Sequence, residues 1–422
     1  MLFLRKLKGY CIIALSVLLL LAGGSFSVCS AGENIVFLVS PTPTVEKMIE
    51  MIPKFEKQTG IKVTVESVSY ESMMEKETLD LRTKMGAYDV FWIEATYLGR
   101  YTTLKGIESF DDFVKKSGLD LNDFPQSLLE NFSYEGKLYA LPFEGCLMVM
   151  VYRTDLFEKK GLSVPRSWTE YGGYFDVIKK LHNPPVIYGT SIMGARHEAL
   201  FYEYLNFLWG FGGKLFEENL YPAINSSQAK AALRFLKSLV PYAPPGTLSY
   251  TWTESATAFQ QGNVGVEVIF SDWTAALNDP AASKVIGKWA YAPLPGNGPT
   301  AFGGYGWAIN ANSRHKEAAF KFVSWATGKE VQRELVRLGS TPTRISVLKD
   351  PELIARFPYL SVYEQVAPRA QPPMKIKAYH ALYDSLVLYL SEALIGAKTA
   401  DEALDIAQQK WIEIMKQSGY IK

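Results

Sequence analysis

The sequence predicts an α/β protein of two lobes, each built on a doubly wound, mainly parallel sheet. Three observations point there. The chain has 422 residues, too many for one simple core and the size of two units of about 150–200 residues. Its first third alternates short apolar runs with helix-period segments in a β-α-β-α-β order, which folds as a right-handed parallel sheet. A composition of 48% apolar and 21% charged residues excludes a disordered chain.

The chain opens with an address. Arg5, Lys6 and Lys8 precede the apolar run Ile12 to Ala22, which is short for a membrane span. Cys29-Ser30-Ala31 places small side chains before a cut after Ala31, so residues 1–31 read as a cleaved secretory signal, with a membrane anchor as the alternative. Its removal takes three positive charges and both Cys11 and Cys29. The exported chain is then nearly neutral, with Cys146 alone and no internal disulfide.

Asn34 to Val39 is an almost unbroken apolar run, as expected of a strand buried on both faces. Val45, Met48, Ile49, Ile52 and Phe55 then keep a helical period behind Thr42 or Thr44 as N-cap. Pro53 should bend this helix and Gly60 should cap its end. Ile61 to Val65 alternates as a strand, a helix covers about 71–85, and Asp89 to Ile93 is a third strand. Ligands of such sheets sit beyond the carboxyl ends of the strands. Those ends are Ser40-Pro41, Val68-Ser69-Tyr70 and Glu94 to Tyr97.

Further on, Ala229, Ala232, Leu233, Leu236 and Val240 mark a helix, and Val264, Val266 and Val268 a strand. Pro293 to Pro299 is a breaker-rich stretch, and Thr399 with Glu402 forms a capping box for a last helix.

Several functions are excluded or disfavoured. With 44 basic and 43 acidic residues there is no basic stripe for nucleic acid. Four scattered histidines leave little for a metal site or imidazole catalysis. No Walker loop, Gly-x-Ser-x-Gly, His-Glu-x-x-His, Gly-x-Gly-x-x-Gly or Cys-x-x-Cys occurs, so no cofactor or metal is expected. A glycosidase needs only two spaced carboxylates, and Glu94, Glu144, Glu198 and Asp272 can supply them.

Aromatic residues beside polar or glycine-rich turns stand out. They are Trp92 and Tyr97, Phe143 before Glu144, Trp252, Trp273 after Asp272, and Gly303-Gly304-Tyr305-Gly306-Trp307. A sugar offers apolar C–H faces to such rings and hydroxyls to carboxylates, amides or guanidinium groups. Taken singly, each ring fits a core role more readily than a ligand contact, and Trp209 and Trp325 fit the core more strongly still at their helical spacing. Arg196 and Glu198 fit either an ion pair or a ligand contact, and Cys146 a small buried side chain.

Across the whole mature chain the sequence resembles the bacterial extracellular solute-binding proteins of ABC sugar importers, the maltose- and trehalose-binding group. The carrying segments are Phe55 to Val63, Tyr88 to Glu94, Leu141 to Glu144, Tyr152 to Phe157, Gly161-Leu162 with Pro165 to Trp168, Ala258 to Gly262, Gly303 to Tyr305, Ala318 to Phe322, and Thr341 to Arg344. The resemblance implies a type II periplasmic-binding-protein fold, its lobes joined by three crossing segments near 142–144, 302–304 and 341–343. It places one lobe at 33–142 plus 304–342 and the other at 145–302 plus 344–422. It further implies a periplasmic receptor that is not an enzyme, acts as a monomer and delivers a sugar or polyol to membrane permease subunits.

The candidate ligand-binding residues come from three places. Ser40, Glu94 and Tyr97 end early strands, and Phe143, Glu144, Cys146, Gly304, Tyr305, Trp307 and Arg344 lie at or near the crossings. Arg196, Glu198, Trp252, Asp272 and Trp273 belong to the second lobe. Against the family pattern Glu94 stands for an Asp, Tyr305 for a Trp, and Gln371-Pro372 for an Arg-Pro. These departures argue against the familiar disaccharides. A same-fold receptor for a polyamine or other solute and a secreted glycosidase are the competing readings.

Overall fold

The apolar runs Asn34–Val39 and Val90–Glu94 become adjacent strands because they bury both faces only inside a sheet covered by helices on either side, while the partly exposed Lys62–Ser67 forms the edge. The computed structural model describes residues 33–422, without the side chains of Glu71 and Ala275. The secretory-signal expectation and Cys11 and Cys29 fall outside the described residues. Among those described, no helix is long and apolar enough to cross a membrane.

The main strands, in chain order, are β1 (Asn34–Val39), β2 (Lys62–Ser67), β3 (Val90–Glu94), β4 (Ala140–Glu144), β5 (Met148–Arg153), β6 (Tyr188–Thr190), β7 (Val264–Phe270), β8 (Trp289–Ala292) and β9 (Tyr305–Ile309). They form one sheet in the order β2-β1-β3-β9-β4 and another in the order β8-β5-β7-β6. β1 pairs in parallel with β2 and β3, and β6 with β7. Each sheet also holds one reversed strand. β9 is antiparallel to β3 and β4, and β5 to β7 and β8. The reversed strands have a topological reason. The other strands run toward the gap between the sheets, whereas β5 and β9 each begin just after the chain has crossed it and run away.

Local chemistry matches the helix reading closely. The helix Pro43–Thr59 is capped by the Thr42 hydroxyl, which accepts from the Val45 N–H, and it ends at Gly60 with φ 75°, a conformation that favours glycine. Pro53 sits on its exposed side without ending it. The Thr399–Glu402 capping box starts the helix Ala400–Gln417 as expected. Behind the first sheet, Phe37 meets Trp307 edge-on at 4.9 Å and Phe322 at 5.3 Å. Such pairs add about 0.5–1.5 kcal/mol each beyond area burial.

The crossings run side by side. Gly145 N–H donates to the Thr341 carbonyl at 3.0 Å, and Gly303 N–H to that of Cys146 at 3.0 Å. A fourth contact lies beside them, where Ala370–Gln371 pairs in parallel with Thr300–Ala301. Beyond 344 the chain still rests on the first lobe, since Ser346 binds the Asp123 carboxylate through its N–H at 2.7 Å and its hydroxyl at 2.9 Å.

Candidate functional cleft

The carboxyl end of β3 delivers Glu94 to the gap, and the helix Tyr70–Thr83 starts beside it. The Tyr70 hydroxyl donates to Glu94 Oε1 at 2.7 Å. Tyr97 follows on a short 3-10 turn, half-buried, with its ring 5.3 Å from His380. That contact joins the first lobe to the helix Tyr379–Leu394.

On the facing wall, Glu198 is the first residue of the helix Glu198–Gly210, capped by His197. A carboxylate there is favoured by the helix dipole. The Tyr379 hydroxyl donates to Glu198 Oε1 at 2.5 Å. Tyr202, one turn along, is buried with its ring 5.8 Å from Trp252. The end of β7 delivers Asp272 in the first turn of Ser271–Asn278. Asp272 is exposed to solvent, with Trp273 and Thr274 after it packed against the second lobe.

Electrostatics ties these groups together across the gap. Burial pushes the Glu94 carboxyl up to about 8, helped by the charge of Glu198 and opposed by the Tyr70 hydrogen bond, with Asp272 adding a further rise. Burial and then the charge of Glu144 push Asp272 up to about 7. Burial also raises Glu198. The charges acting on these three groups are all carboxylates. The Cys146 thiol, raised well above its usual value by burial and then by Asp272, stays protonated beside Asp272.

Several expected ligand contacts are instead spent inside the protein. Glu144 is buried, and its Oε2 accepts from the Thr44 hydroxyl at 2.7 Å and the Tyr305 hydroxyl at 2.5 Å. The Tyr305 ring lies flat on Trp92, with centroids 3.5 Å apart. Trp307 and Phe143 are fully buried, 4.6 Å apart, so both belong to the core. Gly304 serves sheet packing, because a Cβ there would come within 2.2 Å of the Glu144 carbonyl. Arg344 is committed elsewhere: its Nε donates to the Thr327 carbonyl at 2.8 Å, and its guanidinium sits over the Phe124 ring at 3.8 Å. An Asp123 carboxylate lies 3.7 Å away. These six positions correct the site expected from sequence: Gly304 is taken up by sheet packing, and the polar groups or rings of the other five are already occupied.

Of the remaining candidates, Ser40 and Cys146 are buried next to the cleft, and Trp252 and Trp273 are half-buried at its second wall. Arg196 is exposed and, among the described residues, forms no ion pair. Sequence reasoning did not select Tyr70, Tyr202, Tyr379, His380 or Tyr383. A usable signal existed: Tyr202 stands four residues after Glu198 and Tyr383 four after Tyr379, spacings that share one helix face. Among the described residues no cluster of three metal-ligating side chains occurs.

Two α/β lobes facing each other across a cleft of carboxylates and tyrosines define a hinged binding protein. The chain belongs to the bacterial extracellular solute-binding protein family, whose pattern it matches over residues 40–333. It is 27% identical to a probable amino-acid ABC transporter periplasmic-binding protein of Sinorhizobium fredii, over 95% of this chain and 94% of that one. It is 29% identical to a mannitol-binding protein of Pseudomonas aeruginosa, over 83% and 85% of the two chains. In structure it resembles an Agrobacterium radiobacter ABC transporter solute-binding protein in complex with ribitol, with a TM-score of 0.79 and 28% identity, over 90% of this chain and 98% of that one.

Proposed function

We propose that this protein is the extracytoplasmic receptor of an ABC importer, capturing a sugar or polyol between its lobes and presenting it to membrane permease subunits. The carrying observation is the contact between the two walls, where the Tyr97 ring lies 5.3 Å from His380 and the adjacent Tyr379 binds Glu198, close enough for the charge of Glu198 to reach Glu94. Carboxylates accept from ligand hydroxyls at about 1.5–3 kcal/mol each, while Tyr97 and Trp252 offer ring faces. Contacts drawn from both walls exist together only in the closed form, so ligand shifts the hinge toward closure. A few of them, less ordering costs, reach roughly micromolar affinity, about −8 kcal/mol. The mannitol and ribitol of the relatives support the polyol side of this reading.

The reading includes several further parts. The lobes run 33–142 plus 304–342 and 145–302 plus the C-terminal helices, with the chain just beyond 344 bridging them. The ligand set is Glu94, Tyr97, Glu198, Trp252, Asp272 and Trp273, extended by Tyr70, Tyr202 and Tyr379, with Ser40, Cys146 and Arg196 at its margin. The receptor works in the periplasm after cleavage of its leader, as a monomer, without cofactor, metal, nucleic-acid partner or catalysis. The test is a thermal shift of residues 32–422 against neutral sugars and alditols, followed by analysis of the recovered ligand. At a hundredfold excess over Kd a true ligand adds about 2.7 kcal/mol, a rise of several degrees, and returns unaltered. A shift with polyamines alone, or a cleaved glycoside, overturns the reading.

A further inference from the structure

A groove beside the hinge holds positive charge that the receptor reading leaves unused. It has a volume of about 610 Å³ and lies between the helix Gln126–Asn131, the loop carrying Asn297 and Pro299, and the segment from Pro368 to Lys375. Three of its lining groups have donors to spare. Asn131 is only 3% exposed, and its Nδ2 has no hydrogen-bond partner, a burial that costs free energy until something accepts from it. Lys375 is half-buried, and its Nζ donates to the carbonyls of Glu130 at 2.6 Å and Ser133 at 2.8 Å, on either side of Asn131 in the chain. Two of the three ammonium donors are thereby used. Arg369, also half-buried, turns Nη1 to the carbonyls of Gly296 at 3.1 Å and Gly298 at 3.4 Å, which leaves Nε and Nη2 free to bind.

Among the described residues neither base pairs with a carboxylate. The one acid lining the groove is the exposed Glu130, which accepts from Gln126 at 3.1 Å. Burial pushes the pKa of Lys375 down against the charge of Glu130, and that of Arg369 down with no acid opposing it. Past Gln371 and Pro373 a second hollow of about 580 Å³ runs to Lys214, an exposed lysine that likewise has no carboxylate partner among the described residues. A partly desolvated cation without a counter-ion gains from an anion what water no longer supplies, and a guanidinium fork matches a carboxylate in shape.

We propose that this groove binds a small polycarboxylate, one carboxylate held by Arg369, Lys375 and the Asn131 amide and another directed toward Lys214. The site is distinct from the cleft, none of whose ligand set lines it, and it stands whether or not the cleft takes a sugar.

The test is titration calorimetry of the mature protein at pH 7 with sodium citrate, succinate and sulfate, each against sodium chloride at equal ionic strength. Citrate is expected to bind at one site, and about a hundredfold excess over its Kd should raise Tm by several degrees. Arg369→Gln and Lys375→Gln should each weaken citrate by at least about tenfold, the loss of a charge-assisted hydrogen bond. Gln371→Glu alters only an exposed side chain of the groove, so it keeps the test decisive if either of those variants folds poorly. Its added negative charge should weaken citrate by a similar factor, whereas Lys284→Gln, at an exposed lysine elsewhere, should leave citrate affinity unchanged. Absence of binding by both citrate and succinate overturns the inference. Citrate binding that survives intact in Gln371→Glu also overturns it, by putting the anion elsewhere. Sulfate binding more tightly than either carboxylate overturns the ligand class.

Discussion

Glu144 and Glu94 both sit at the carboxyl ends of strands in the same sheet, yet the structure treats them oppositely. Glu144 is sealed, with Thr44 and Tyr305 donating to one oxygen and an aromatic block of Trp92, Tyr305, Phe143 and Trp307 packed behind it. Glu94 receives one hydrogen bond, from Tyr70, and otherwise faces carboxylates of the other lobe. A carboxylate whose needs are met inside the protein builds the wall of a cleft. One left short of partners in a desolvated place is where a ligand finds binding energy.

The largest effect that would sharpen this contrast is on stability. Trp307→Ala empties the centre of the aromatic block and should cost about 3–5 kcal/mol, read as a large fall in Tm, while the folded fraction keeps its ligand affinity. A variant that melts normally but fails to bind would move Trp307 back to the ligand. Next, Glu198→Ala should leave Tm near the parent value and weaken binding by about 10–100-fold, as loss of a charge-assisted hydrogen bond requires. Calorimetry reads both sides, and unchanged affinity would break the comparison at its open end. Arg344→Lys should cost about 1–2 kcal/mol in stability, because an ammonium cannot reproduce the planar contact over Phe124. Its ligand affinity should not change, which chemical denaturation combined with titration checks.

The smallest effect is a pH slope. Glu94 and Asp272, raised to about 8 and about 7, keep protons in the folded apo protein that the unfolded chain releases nearer their ordinary 4.5 and 3.8. The unfolded state then binds fewer protons, so these groups make stability fall as pH climbs from about 4 to 8, then level off. The titratable groups near Glu94 include Tyr70, Glu77, Tyr97, Glu198 and Asp272, and those near Asp272 include Glu94, Glu144 and Cys146. Tm measured against pH should fall less steeply in Glu94→Gln than in the parent. An equal or steeper slope in the variant would mean that Glu94 is ordinary.

Much of this was legible in the sequence, and the losses have a common cause. Strand and helix identity follow from local period and capping, so Asn34–Val39, the Thr42 cap, Gly60 and the Thr399–Glu402 box read correctly without any tertiary knowledge. The placement of Glu94, Glu198 and Asp272 at strand ends and a helix start was also legible, and such ends are where ligands of these sheets are expected. Phe143, Tyr305, Trp307 and Arg344 were misplaced because an aromatic ring or a guanidinium near a lobe crossing looks the same in sequence whether it faces a cleft or a core. Tyr379 and Tyr202 were passed over because Tyr379 lies 181 positions from the Glu198 it binds and Tyr202 lies within a strongly apolar helix.

What the sequence settled alone are properties that decay within a few residues: periodicity, caps and turn glycines. What tertiary structure decided is occupancy, meaning which polar group already has a partner. A hydrogen bond such as that of Tyr305 to Glu144 spans 161 positions of chain, and only folding determines whether it is made. Because a buried polar group must find a partner somewhere, that long-range pairing separates the carboxylates that hold the protein together from those left to hold its ligand.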